Sequence, residues 1–298
     1  MLAETIDRFR PTVRSSSEPP LLPGALPGVG HMTEWIRNPF ALLMRARREG
    51  GEVVEFNLLG TGMVLVTGPQ AQEAFFRAPD DQLCRREAYK LMTPIFGEGV
   101  VFDAPGDRLE QQLGMVMRFL RDHKMRGYPP IVQQETEKAV ESWGSHGSLD
   151  LLQTMKDLTL YGSSRCLIGP EFRNGMDEQF RILYEDLEKG VNPIAYFQPN
   201  LPLPSFKRRD VARVQLVERV EAILSRRAET GDRPDDGLQA LLEAGYADGQ
   251  NLTAHEITGL LIAIMMAGHH TSAGTGTWVI IELLRNQQYL SRLLDEID

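Results

Sequence analysis

The sequence predicts a mainly α fold with a small β subregion, and three observations carry that prediction. Beyond about residue 100, apolar residues recur at helical spacing in one long segment after another. Two short β-prone runs, Val53 to Leu59 and Met63 to Val66, stand close together around Gly60-Thr61-Gly62, which is a hairpin signal. No internal repeat is visible, so an early hairpin attached to many helices reads as one domain rather than an array.

Taken in order, residues 1–22 read as an extended N-terminal segment containing Ser15-Ser16-Ser17 and Pro19-Pro20, and residues 23–298 as the domain. Met1 to Arg14 has no apolar stretch of the kind a signal peptide needs. Asn38-Pro39 reads as a helix N-cap followed by Pro at the first helical position, with Gly50-Gly51 as the stop. The hairpin follows, then a helix over about 70–77. Further helices are expected over 106–124, 130–144, 149–168, 176–190, 208–228, 236–244 and 253–285. The chain stops at Leu293-Leu294-Asp295-Glu296-Ile297-Asp298, within a helical pattern and without a Gly or Pro stop, and this ending reads as a truncation.

The 298 residues are 42% hydrophobic and 24% charged, enough to bury a full core. A net charge of −9 offers no basic field for a phosphate backbone, so nucleic acid is not an expected partner. Two cysteines, Cys84 and Cys166, cannot build a disulfide framework and suit a reducing, cytoplasmic setting. Each reads as a small packing residue. Ile257 to Ile281 lacks Asp, Glu, Lys and Arg and is long enough to span a bilayer. Its polar centre would be costly in hydrocarbon, so the segment reads as a buried central helix and not as an anchor.

That centre is unusual. Gly268, His269, His270, Thr271 and Ser272 interrupt an apolar helix. Gly lowers helix stability by about 1 kcal/mol relative to Ala, and Thr271 can return its hydroxyl to the Ala267 carbonyl. A locally opened helix with room at Gly268 for a flat, bulky group is one reading; a packing kink against another helix is the other. Neighbouring histidines on a helix point about 100° apart, so His269 and His270 are not expected to ligate one metal ion.

The run Ala267-Gly268-His269-His270-Thr271-Ser272 resembles the oxygen-binding helix of cytochromes P450, and its His-Thr-Ser ending resembles the sterol 14α-demethylase family. A second block, Glu87-Ala88-Tyr89-Lys90-Leu91-Met92-Thr93-Pro94-Ile95-Phe96-Gly97-Glu98-Gly99-Val100-Val101-Phe102-Asp103, is similar to the segment of that family that covers substrate and haem edge. The resemblance runs from about Pro23 to the last residue.

It implies a P450 fold, a haem cofactor, a sterol-like apolar substrate and oxidative removal of a sterol methyl group with a ferredoxin or flavoprotein electron donor. It also implies site residues. Ala267, Gly268, His270 and Thr271 would form the oxygen-side groove, with His270 and Thr271 supplying protons. Tyr89 would bond a haem propionate, and Leu91, Met92 and Phe96 would line the substrate cavity with it. Leu91, smaller than Phe, points to a 4,4-dimethylated sterol. Three features depart from the family. The cysteine-bearing loop is not found. Glu-x-x-Arg occurs at Glu34/Arg37, Glu178/Arg181 and Glu282/Arg285, none followed by the rest of the region that holds this pair in the family. Positions that often hold a haem-contacting Lys and His are Glu110 and Gly114. Arg108, Arg118 or Arg121 are the residues that could compensate. The competing expectations are a non-catalytic lipid- or haem-binding remnant, or a decayed product whose uncovered apolar face leaves it without a stable fold.

Overall fold

The computed structural model describes residues 18–79, 82–141 and 143–297. The Met1 to Arg14 reading and most of the 1–22 segment therefore lie outside the described residues. The chain divides into two compact units at Cys84/Arg85.

In the first unit, α1 (Met32–Arg37) and α2 (Pro39–Gly50) precede a two-stranded antiparallel sheet, β1 (Val53–Leu58) and β2 (Thr61–Val66), and α3 (Pro69–Arg77). The Asn38 side chain accepts the Ala41 N–H at 3.0 Å, the expected N-cap. Val53 pairs with Val66 and Leu58 with Thr61, so Val54, Phe56 and Leu58 all face the core. The turn is shorter than Gly60-Thr61-Gly62. It is the two residues Leu59 (φ 52°) and Gly60 (φ 83°), both left-handed, the geometry that matches the twist of the strands.

The second unit is helical throughout. Its main helices are α4 (Gly106–Met117), α5 (Tyr128–Val140), α6 (Leu151–Leu167), α7 (Glu178–Glu188), α8 (Pro204–Thr230), α9 (Gly237–Leu242), α10 (Ala254–Arg285) and α11 (Gln287–Ile297). The helix expected over 106–124 breaks: α4 ends at Met117, a 3-10 turn covers Arg118–Leu120, and Arg121 is extended. Side-chain caps start four of these helices, with Asp150, Asp177, Asp236 and Thr253 accepting N–H groups at 2.7–3.2 Å. At Thr253 the cap is reciprocal, since Glu256 accepts the Thr253 N–H at 2.8 Å.

α10 is the central element. Ile257, Leu260, Leu261 and Met265 are buried in the core that α4, α6, α7 and α8 also build. No described helix is long and apolar enough to cross a membrane. Two glycines permit its closest contacts. A Cβ at Gly259 would overlap the Phe96 carbonyl oxygen, so this glycine lets the short helix Thr93–Phe96 lie directly on α10. A Cβ at Gly276 would meet the Met155 methyl of α6.

Candidate functional site

The site is built from the Arg85–Asp103 segment laid across α10. That segment folds as short turns at Arg85–Ala88, Lys90–Met92, Thr93–Phe96 and Val101–Asp103. Between it, α4 and α10 lies a cavity of about 430 Å³, walled by Met92, Phe96, Val101, Phe102, Leu113, Val116, Leu260, Ala263, Ile264, Met266, Ala267 and His270. His270 is the single polar side chain on that wall. Such a cavity suits a rigid hydrocarbon body with one polar point of address.

One wall is held under strain. Val101 has φ 50°, a conformation that a β-branched residue rarely adopts. Gln112, fully buried, holds it: its side-chain oxygen accepts the Val101 N–H at 2.7 Å. The amide nitrogen donates to the Gly99 carbonyl at 3.0 Å and the Tyr246 hydroxyl at 2.8 Å. Tyr246 in turn donates to Glu256 Oε1 at 2.7 Å, at the capped start of α10. Burial pushes the Tyr246 phenol up, and Gln112 and Arg108 pull the other way. This strut joins cavity wall, α4 and central helix, and none of it is visible as a sequence motif.

The predicted residues fall in several places. Met92 and Phe96 line the cavity; Leu91 is half-buried outside its wall. Tyr89 is exposed and stacks on Phe102, ring centroids 4.0 Å apart. Thr271 Oγ1 donates to the Ala267 carbonyl at 2.7 Å, as expected, yet α10 stays α-helical through this point instead of opening. Gly268 faces α6, where a Cβ would sit at ordinary contact with Ser163 and Leu167. The open space lies at Gly274, around whose Cβ position nothing comes within 4 Å. Ala267 and Thr271, both exposed, and the half-buried Gly274 follow one another at i, i+4 and i+7, so α10 presents a strip of small residues continuing from the cavity.

The two histidines do not point to separate partners. His270 Nε2 lies 3.0 Å and His269 Nε2 3.4 Å from the same Glu188 Oε1, both at ion-pair distance. Burial opposes ionisation of Glu188, but the two imidazoles outweigh it and hold the carboxyl down at about 2. Glu188 opens onto a second, polar pocket of about 390 Å³ with Lys156, Asp157, Arg181, Glu185 and Lys189 on its lining. His270 is therefore shared by an apolar cavity and a polar pocket. Sequence reading missed Glu188 because it sits in an acidic run that resembles any solvated helix face.

The strip Ala267, Thr271 and Gly274 has no side chain large enough to obstruct a flat macrocycle, so these residues fit the face of a haem. The propionate side is sparser. Glu110 and Gly114 are exposed, and Arg108 is engaged by Asp248 and Gln250 at 2.8 and 2.9 Å. Arg118 and Arg121 line a different pocket with Lys124 and Cys166, so they do not stand in for the missing Lys and His. Neither cysteine lies on the strip. Cys84 is exposed rather than packed, and burial pushes the Cys166 thiol up to about 11, the opposite of a thiolate ligand.

Comparison with known proteins gives the site its context. The cytochrome P450 family profile matches residues 19–298. The chain is 42% identical over 285 residues to the sterol 14alpha-demethylase of Mycolicibacterium vanbaalenii, covering 94% of this chain and 63% of that protein. It is 43% identical over 273 residues to the sterol 14alpha-demethylase of Mycobacterium tuberculosis, covering 90% and 60%. With the sterol 14-demethylase of Arabidopsis thaliana it shares 35% identity, covering 93% and 57%. The fold is also that of the retinoic acid bound cyanobacterial CYP120A1, at a TM-score of 0.76 and 18% identity over 95% of this chain and 63% of that one. The chain spans about 60% of the length of the curated relatives it matches.

Proposed function

This chain belongs to the cytochrome P450 family, and we propose that it forms the substrate-covering and oxygen-side part of a sterol 14α-demethylase-like monooxygenase. Family membership implies a haem cofactor. When bound, haem supplies the oxidation of the sterol methyl group with O2 and electrons from a ferredoxin or flavoprotein. The observation that carries the reading is the position of His270, between an apolar cavity and a polar pocket.

In this reading the chain's own residues have separable tasks. Met92, Phe96, Val101 and Leu260 hold the hydrocarbon body by dispersion and exclude water. Ala267, Thr271 and Gly274 provide the flat face for haem, and Tyr89 offers its hydroxyl at the haem edge. Gly268 contributes by its place against α6. Protons move from the polar pocket to Glu188 and then to His270, whose Nε2 lies 3.0 Å from Glu188 Oε1 and whose ring also lines the cavity. The hydroxyl of Thr271, the next residue, stands about 100° round the helix. Leu91 supports a 4,4-dimethylated sterol only indirectly, since it stands behind the wall.

The test is turnover by the haem-containing gene product purified from its own host, with a ferredoxin and its reductase and a 14α-methyl sterol. The expected product is the 14-desmethyl sterol, made at least tenfold more slowly by Thr271→Ala and by Glu188→Gln. A haem-loaded protein that binds and turns over no 14α-methyl sterol would overturn the reading.

A further inference from the structure

We propose that Glu188, His269 and His270 form a binding site for a divalent transition-metal ion, of which zinc is the best fit. One ligand atom from each lies within 4.8 Å of the other two, and Glu188 Oε1 stands 3.0 and 3.4 Å from the two imidazole nitrogens, near the spacing of about 3.3 Å between ligands of one tetrahedral zinc ion. His₂Glu is a ligand set that zinc uses elsewhere, and it leaves a fourth position for water.

The hydrogen bonding of His269 points the same way. This ring is 3% exposed, and its Nδ1 lies 3.1 Å from Thr159 Oγ1. The shortest bond of that hydroxyl is its donation to the Met155 carbonyl at 2.7 Å, so it accepts from Nδ1–H. In the neutral tautomer this leaves the Nε2 lone pair facing a carboxylate oxygen at 3.4 Å. Two acceptors in that relation need a cation between them, a proton or a metal. The outer bond from Nδ1 to Thr159 is also the kind that orients a ligating imidazole.

A second buried group reaches the same pocket. Tyr184 is 2% exposed, its hydroxyl has no partner, and its ring meets His269 edge-on at 5.7 Å between centroids. From the pocket lining it can hold the water that completes the coordination. Nearby charges are accounted for: Arg181 and Lys189 pair with Glu185, leaving Glu188 as the carboxylate turned to the imidazoles. Asp157 and Lys156 on α6 also line the pocket. A bound ion would tie up His270, and so would block proton supply to the cavity. That consequence rests on the proposed function; the site itself does not.

The test is calorimetric titration of the 298-residue chain with zinc chloride, alongside cobalt(II) titration followed by visible absorption and by calcium and magnesium controls. The expected result is one zinc per chain, a tetrahedral cobalt spectrum and no heat from calcium or magnesium. Glu188→Gln and His269→Asn are each expected to weaken zinc at least tenfold, and Thr159→Val by about 10- to 100-fold. His123→Asn and His146→Asn are expected to bind as the parent does. The absence of stoichiometric zinc binding to the parent would overturn the site. So would an octahedral cobalt spectrum, or binding that survives Glu188→Gln and disappears with His123→Asn. The parent's cobalt spectrum decides the matter even if a variant fails to fold, and neither readout depends on sterol turnover.

Discussion

Gln112→Met removes the strut beneath the strained cavity wall while nearly preserving side-chain volume. Three hydrogen bonds disappear, to Val101 N–H, the Gly99 carbonyl and the Tyr246 hydroxyl. Gln112 is 0% exposed and Val101 7%, so water cannot replace the bond at the Val101 end without rearrangement. At about 1 kcal/mol net for each bond, with the orphaned N–H raising the cost, the loss is about 2–4 kcal/mol. For a cooperative unit of this size that corresponds to a fall in Tm of about 6–12 °C. The assay is urea unfolding followed by circular dichroism, run as a cycle with Tyr246→Phe. The two changes share one bond, so they should fall short of additivity by about 1 kcal/mol. A loss under about 0.5 kcal/mol, or additive changes, would show that Val101 is held by something other than this strut.

Three further outcomes follow from the same geometry. Gly268→Ala should stabilise the protein by up to about 1 kcal/mol, since a methyl fits against Ser163 and Leu167 and favours the helix; Gly259→Ala should destabilise it by about 1–3 kcal/mol, because the methyl meets the Phe96 backbone. Thermal unfolding of the pair distinguishes them, and equal effects would refute the contrast. Leu59→Asn should raise stability by about 0.5–1 kcal/mol, because Asn tolerates the left-handed turn position that Leu59 occupies at φ 52°. Chemical denaturation that shows a loss would contradict the turn assignment. The Glu188 carboxyl is held at about 2 against an ordinary 4.5, so its stabilisation is complete above pH 4.5 and fades as pH falls toward 2. After discounting for its exposed part this amounts to about 1–2 kcal/mol, and Glu188→Gln should flatten that acid limb of stability against pH by the same amount.

Much of the fold was legible because it is local. Caps at Asn38 and Thr253, and an apolar run from Ile257, bound α2 and α10 to within a residue or two. The short turns between Arg85 and Asp103 were not legible, because four-residue helices carry no periodicity. Nor was the break at Met117, where no Gly or Pro marks the end of the helix. At the site, residue types pointed to Ala267, His270 and Thr271, but orientation did not follow from them. The room expected at Gly268 lies at Gly274, because Gly268 turns toward α6. Partners far apart in the chain were invisible for a simple reason. Gln112 and Tyr246 are 134 residues apart and Glu188 and His270 are 82 apart, so only tertiary packing brings them together.

The central claim is that the small-residue strip on α10 is a haem face. Titrating the 298-residue chain with haem, followed at the Soret band in parallel with Ala267→Trp, tests it directly. Saturable one-to-one binding by the parent is expected, with at least tenfold weaker binding by Ala267→Trp, whose indole would cover the strip. The reduced, carbon monoxide-treated complex is expected to lack a thiolate-type band, since neither cysteine is part of the strip and burial pushes the Cys166 thiol up to about 11. Binding indifferent to Ala267→Trp, no binding at all, or a thiolate-type band from this chain alone would contradict that claim.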